Sequence, residues 1–152
     1  MAELAFEAAD LAAGGIHFSL RGMQGVGGRV VILAGMFDAG LDFAKLTGDF
    51  NPIHHDEEFA RAAGMPGVFG MGLLHGGVLA QRLTAWVGLA NIRSFRIRFT
   101  GQVWPGDLLS FGGRVTGVRE AGGQQVADLE LVVTRQSGEP AIKGSAVVQV
   151  AR

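Results

Sequence analysis

The sequence contains no cysteine, which excludes disulfide bonds, thiolate nucleophiles and cysteine-based zinc sites. Neither sign of charge dominates, because 13 basic and 14 acidic residues give a formal net charge of -1. The broad positive field that nucleic acid requires is missing, so nucleic acid is not expected as a partner. No apolar run reaches the ~18 residues of a membrane span, and the N-terminus carries acids where a signal peptide carries lysines. We therefore expect a cytoplasmic protein that does not bind a membrane.

The length of the chain favours one domain. Its 152 residues, of which 48% are hydrophobic, can bury a real core once but are too few for two domains of ordinary size. We expect a single domain over residues 1–152. Short helices and loops are predicted in its first half, and strands in its second half.

The second half has the pattern of an antiparallel meander. Phe95, Ile97 and Phe99 alternate with polar residues, which is the period of a half-buried strand. Three further strand patterns follow, separated by the turn sequences WPGD, AGGQ and SGEP at hairpin spacing. An earlier strand is predicted near Gly28 and a short one in IHFSLRG, so that the sheet has five or six strands.

Two helices are predicted in the first half. Residues 36–48 form a short amphipathic helix, capped by Asp38, that delivers Asp49 to a loop. Residues 70–90 are apolar on nearly every side, which is typical of a buried helix. Four glycines there would each cost about 1 kcal/mol relative to alanine, so a sheet, a partner or a ligand is expected to approach closely. They are Gly70, Gly72, Gly76 and Gly77. A long buried helix wrapped by a curved antiparallel sheet is the α+β hot-dog fold.

The segment LTGDFNPIHHD gathers side chains of catalytic type around an Asn-Pro step. Pro52 stops the helix and pushes Asn51 toward an extended conformation, so the loop from Asp49 to His54 folds back. A carboxylate and a neutral imidazole that reach the same water can share its protons, as the addition of water to a double bond requires. The Asn51 amide can fix one of the pair. On residue type alone, the two adjacent histidines could equally be structural or surface residues.

Two segments, FAKLTGDFNPIHHDEEFARAAG and GVFGMGLLHGG, resemble the MaoC-like dehydratase and (R)-specific enoyl-CoA hydratase family. The motif of that family runs G-D-x-N-P-hydrophobic-H-x-D. The later segment FRIRFTGQVWPGDLLSFGGRV is also similar to the family, so the resemblance covers the chain from about Val30 onward. The residues that match the motif are Gly48, Asp49, Asn51, Pro52, Ile53, His54 and Asp56.

The resemblance implies a hot-dog fold in which Asp49 and His54 hold a water molecule. The water would add syn to a trans-2-enoyl thioester to give an (R)-3-hydroxyacyl thioester, or the reverse dehydration would occur. Asn51 would orient this dyad, and the backbone N–H of Gly70 would receive the thioester carbonyl. The substrate would be a thioester of coenzyme A or of acyl carrier protein, with no cofactor and no metal. The substrate-binding residues predicted in addition are Phe50, Met71 and Gly72.

Two positions depart from the family pattern. Many relatives have a histidine where this chain has Phe69, and this chain carries His75 further along the helix instead. We expect Phe69 to support the loop by packing, and His75 to face a polar gap or a subunit interface. No role is predicted for His17.

Two other functions are considered. Hot-dog acyl-CoA thioesterases often have an H-G-G sequence followed within two turns by a carboxylate, but here no acid follows among residues 78–85. A non-catalytic, acyl-thioester-binding subunit of a heteromeric dehydratase would be favoured by loss of the dyad, and here the dyad is present. Because a single short sheet leaves edge groups unpaired, we expect a homodimer.

Overall fold

The computed structural model describes residues 3–5, 28–31 and 43–150. The predicted strand at residues 16–22, His17 and the cap at Asp38 lie outside the described residues. The strands are β1 (Glu3–Ala5), β2 (Gly28–Val31), β3 (Ile92–Phe99), β4 (Leu108–Ala121), β5 (Gln124–Arg135) and β6 (Pro140–Gln149). The helices are α1 (described over residues 43–47), α2 (Glu57–Ala62) and α3 (Gly72–Val87), with 3-10 turns at Pro52–His54 and Leu89–Asn91.

These strands form one antiparallel sheet in the order β1-β4-β5-β6-β3. β2 also pairs with β4, so β1 and β2 follow one another along the same edge of that strand: Ala5 lies opposite Gly112 and Gly28 opposite Phe111. The predicted strand near Gly28 and the four strands of the meander are confirmed. β1 was not predicted, because three residues are too few to show an alternation.

A buried carboxylate fixes the turn between β3 and β4. Asp107 accepts hydrogen bonds from the Trp104 N–H at 2.8 Å, from Arg135 Nε at 2.7 Å and from Gln136 Nε2 at 2.8 Å. Burial by itself raises the pKa of Asp107, but these hydrogen bonds outweigh it and the pKa is lowered. The turn is thereby tied to the end of β5, which also fixes Val103 next to the functional site described below.

The central helix packs on the sheet through one face. Its buried residues recur at helical spacing and are His75, Gly76, Leu79, Arg82 and Leu83. The prediction of a helix buried on every side is wrong for the single chain, because Leu73 is 52% exposed and Gln81 is also exposed. The helix ends at Gly88, whose φ of 80° suits glycine. Among the described residues, no helix combines the length and apolarity that crossing a bilayer needs.

Close approach of the sheet accounts for two of the helix glycines. A Cβ added at Gly72 would lie 2.9 Å from the Phe99 ring, and one added at Gly76 would lie 2.6 Å from Ile97 Cδ1. Gly77 faces outward, where an added Cβ would have no neighbour within 4 Å among the described residues. The predicted close packing is therefore confirmed for Gly72 and Gly76. In the single chain, no close contact explains why residue 77 is a glycine.

The pair Gly76 and Gly77 allows a matched test of this packing. Gly76→Ala should lower the free energy of unfolding by about 1–2 kcal/mol, because the methyl group must displace Ile97. Gly77→Ala should raise it by about 0.5–1 kcal/mol for the dissociated chain, because alanine is the better helix former and the site is open in the single chain. Urea unfolding followed by circular dichroism measures both values. Equal effects of the two substitutions would contradict the packing described here.

Candidate active site

The loop after α1 folds back as the Asn-Pro step predicts. α1 stops where Gly48 adopts a φ of 74° and its N–H donates to the Ala44 carbonyl at 2.7 Å. Asn51 is extended, and Pro52 begins a single 3-10 turn. The turn returns the chain so that the His54 N–H donates to the Asn51 carbonyl at 3.2 Å. Asp49 and His54 therefore flank one compact turn.

Asn51 contacts both members of the predicted dyad through its backbone. Its N–H donates to Asp49 Oδ1 at 3.4 Å, and its carbonyl accepts from the His54 N–H. Its side-chain Oδ1 accepts from the Ile53 N–H at 3.2 Å and so caps the 3-10 turn. An orienting role for Asn51 would depend on these backbone contacts rather than on its side-chain amide.

The His54 ring is held by a carbonyl and by aromatic packing. Nδ1 lies 2.8 Å from the Phe69 carbonyl oxygen. Because a carbonyl only accepts hydrogen bonds, Nδ1 carries the proton and Nε2 of the neutral ring keeps its lone pair. Phe69 packs edge-on against the His54 ring, with centroids 5.0 Å apart, and against Trp104 at 5.8 Å. Phe69 therefore supports the loop by packing, as expected, and also through its carbonyl.

The peptide that joins Phe69 and Gly70 is engaged at both ends. Its carbonyl accepts from His54, and its N–H, on Gly70, donates to the Val103 carbonyl at 2.8 Å. This donor is therefore engaged by Val103, and the predicted hydrogen bond from it to a thioester carbonyl would have to replace or share that contact. Within the described residues, the N–H groups of Gly72 and Leu73, the first of α3, have no acceptor.

A cleft of about 460 Å³ opens beside this peptide. Three of the predicted site residues line it, namely Asp49, Gly70 and Gly72. The other four do not: Phe50 and Asn51 are exposed, His54 is half-buried against Phe69, and Met71 is buried at the start of α3. The described residues contain no group of three His, Cys, Asp or Glu side chains that could hold a metal ion. The other residues that line the cleft are Phe69, Leu73, His75, residues 99–103, Ala141 and Ile142.

His75, which we expected to face a polar gap or a subunit interface, also lines the cleft. It is only 2% exposed. Burial lowers its pKa to about 4; the negative charge of Asp107 raises the pKa and the positive charge of His54 lowers it further. The ring is therefore neutral near pH 7. Its helical spacing from Leu79 and Leu83 was the signal in the sequence that it points toward the sheet.

The sheet and the central helix together define the hot-dog fold. A solved structure of an (R)-hydratase from Aeromonas caviae has a TM-score of 0.69 and 27% identity, over 84% of this chain and 96% of that chain. Residues 32–136 match the family described as MaoC like domain. The chain belongs to this MaoC-like family.

Curated relatives carry names that agree with this family. The (R)-specific enoyl-CoA hydratase of Aeromonas caviae is 35% identical over 114 residues, which cover 71% of this chain and 81% of the relative. The 3-hydroxyacyl-thioester dehydratase Y of Mycobacterium tuberculosis is 44% identical over 70 residues, or 43% of this chain. This chain spans 24% of the length of that dehydratase, so the likeness to it concerns one region.

The buried His75 makes stability depend on pH. The ring takes up a proton near pH 6.5 in the unfolded chain but only near pH 4 in the folded one. The unfolded state therefore binds more protons between pH 6.5 and 4, and the free energy of unfolding falls as the pH drops through this window. The loss is about 3 kcal/mol at most. Urea unfolding at a series of pH values measures this dependence. Between pH 6.5 and 4, the free energy of unfolding should fall less steeply for His75→Leu than for the parent protein. An equally steep fall in both proteins would contradict this assignment.

Proposed function

We propose that this chain adds water to trans-2-enoyl thioesters to give (R)-3-hydroxyacyl thioesters, or catalyses the reverse dehydration. Asp49 and His54 activate the water. The substrate is a thioester of coenzyme A or of acyl carrier protein, and no cofactor or metal takes part. The observation that carries the proposal is the hydrogen bond from His54 Nδ1 to the Phe69 carbonyl, which leaves Nε2 as a base in the same loop as Asp49, a residue that lines the cleft.

The proposed reaction uses one water molecule and returns every proton. His54 Nε2 accepts a proton from the water while the water oxygen bonds to C3 of the enoyl group. Asp49 accepts the second hydrogen bond of the water and so orients it. The electron pair of the double bond moves toward the thioester carbonyl, and C2 then takes a proton back from the dyad. The net change is one oxygen bond at C3 and one hydrogen at C2.

Substitution of either dyad residue tests the mechanism. Asp49→Asn and His54→Ala should each lower the hydration rate of crotonyl-CoA by about 10²–10⁴-fold, because each removes a proton-transfer group. The loss of enoyl-thioester absorbance reports the rate, and circular dichroism verifies that the variants fold. His55→Ala removes an exposed neighbouring imidazole and should leave the rate unchanged. Full activity in Asp49→Asn or His54→Ala would rule out the dyad.

The same assay separates the two other functions. Release of free thiol from crotonyl-CoA, detected with a thiol-reactive dye, would identify a thioesterase instead. Binding of the thioester without either reaction would identify a non-catalytic subunit. No acid follows the H-G-G sequence in residues 78–85, which argues against the first of these outcomes.

We also propose that two copies of the chain pair to form a homodimer. The outward face of α3 is open around Leu73, and Phe99 at the end of β3 is 47% exposed beside it. β3 pairs only with β6 among the described strands, so its second edge offers free backbone groups. A second copy would cover both features by the same surface.

Sedimentation velocity measures this assembly directly. The purified chain should sediment at twice its chain mass over a range of dilutions, because the open helix face and the strand edge are both buried in the pair. A single species of one chain mass at every concentration would contradict the homodimer. A chain that is monomeric alone and forms a two-chain species only with a different protein would also contradict it.

A further inference from the structure

The cleft contains a buried polar group that the mechanism above does not use. His75 is 2% exposed, yet neither of its ring nitrogens has a hydrogen-bond partner among the described residues. The described residues do not fully enclose the ring nitrogens, so a molecule that enters the cleft can form a hydrogen bond with the ring.

The contact between His75 and Gly70 places the ring at the proposed thioester position. A Cβ added at Gly70 would lie 2.6 Å from His75 Cε1 and 3.1 Å from Nε2. The ring edge with Nε2 therefore lies directly against the backbone from which the thioester carbonyl was expected to receive its hydrogen bond. That backbone N–H is already bonded to Val103, which leaves the role of donor to another group.

We propose that the imidazole of His75 donates a hydrogen bond to the carbonyl oxygen of the bound thioester, in place of the Gly70 N–H. This inference rests on the proposed function and names a further catalytic residue for it. Negative charge develops on that oxygen when water adds at C3, and a fixed donor in a water-poor site stabilises such charge strongly. The ring edge at Gly70 presents Nε2, so the proposal requires the tautomer in which this nitrogen carries the proton.

The protonation state of His75 agrees with this role. Its pKa of about 4 keeps the ring neutral near pH 7, so one nitrogen carries a proton and can donate. The titratable groups that act on its pKa are Asp107, which lies in the turn before β4, and His54, which lowers the pKa of His75 when it is itself protonated. Asp107 is already bonded to Trp104, Arg135 and Gln136 and takes no proton from the ring.

Kinetics of two variants test the inference. His75→Leu should lower kcat for crotonyl-CoA hydration by about 10²–10³-fold, with a smaller change in KM, because the bond strengthens in the transition state. His75→Gln keeps an N–H donor and should recover part of that loss. His55→Ala serves as the control for loss of an imidazole. Near-parent kcat in a folded His75→Leu, alongside an inactive Asp49→Asn, would overturn this inference and leave the proposed function standing.

A binding measurement makes the test independent of turnover. Butyryl-CoA has no double bond to hydrate, and a ¹³C label in its carbonyl allows an isotope-edited infrared spectrum of the bound thioester. The carbonyl band should shift to lower frequency in the parent protein and return toward the solution value in His75→Leu. This result supports the inference even if crotonyl-CoA is not hydrated, a failure that would count against the proposed function alone. The same band in both proteins, or no binding of butyryl-CoA, would overturn the inference.

Discussion

The candidate site depends on one peptide group, the link between Phe69 and Gly70. Its carbonyl accepts the Nδ1 proton of His54, and its N–H donates to Val103. The first contact selects the ring tautomer and leaves a base at Nε2. The second joins the loop to the connection between β3 and β4, in which Val103 lies. A peptide fixed at both ends cannot rotate without breaking two hydrogen bonds, so the orientation of His54 is set by the fold rather than by its own loop.

The rest of the fold keeps that peptide in place. Asp107 holds the turn that carries Val103, through hydrogen bonds from Trp104 and Arg135. On the other side, Gly72 and Gly76 allow α3 to approach β3 so closely that Phe99 and Ile97 fill the space of the missing side chains. A bulkier helix would stand further from the sheet. The helix start, which lines the cleft, would then move away from the loop that carries Asp49 and His54.

The fold could be predicted from the sequence to a large extent, because alternation along β3 and glycine-containing turns such as Gly122-Gly123 are local signals. The loop geometry followed as well, since Pro52 restricts Asn51 directly. Helical spacing indicates that His75 faces the sheet, but its place in the cleft and the Gly70 contact could not be predicted, because they depend on where α3 meets the turn before β4. Such contacts join segments about thirty residues apart, and no local sequence pattern in either segment indicates which other segment it will contact. The exposed face of α3 was missed for a similar reason, since apolar composition does not say which chain covers it.

The tautomer of His54 is the central claim, because a base at Nε2 exists only if Nδ1 carries the proton. Nuclear magnetic resonance of the protein labelled with ¹⁵N in its histidine rings measures this directly, with the His54 signals assigned by their loss in His54→Ala. The account predicts that Nδ1 of the neutral ring is protonated and Nε2 is not. A neutral ring protonated at Nε2 would contradict it.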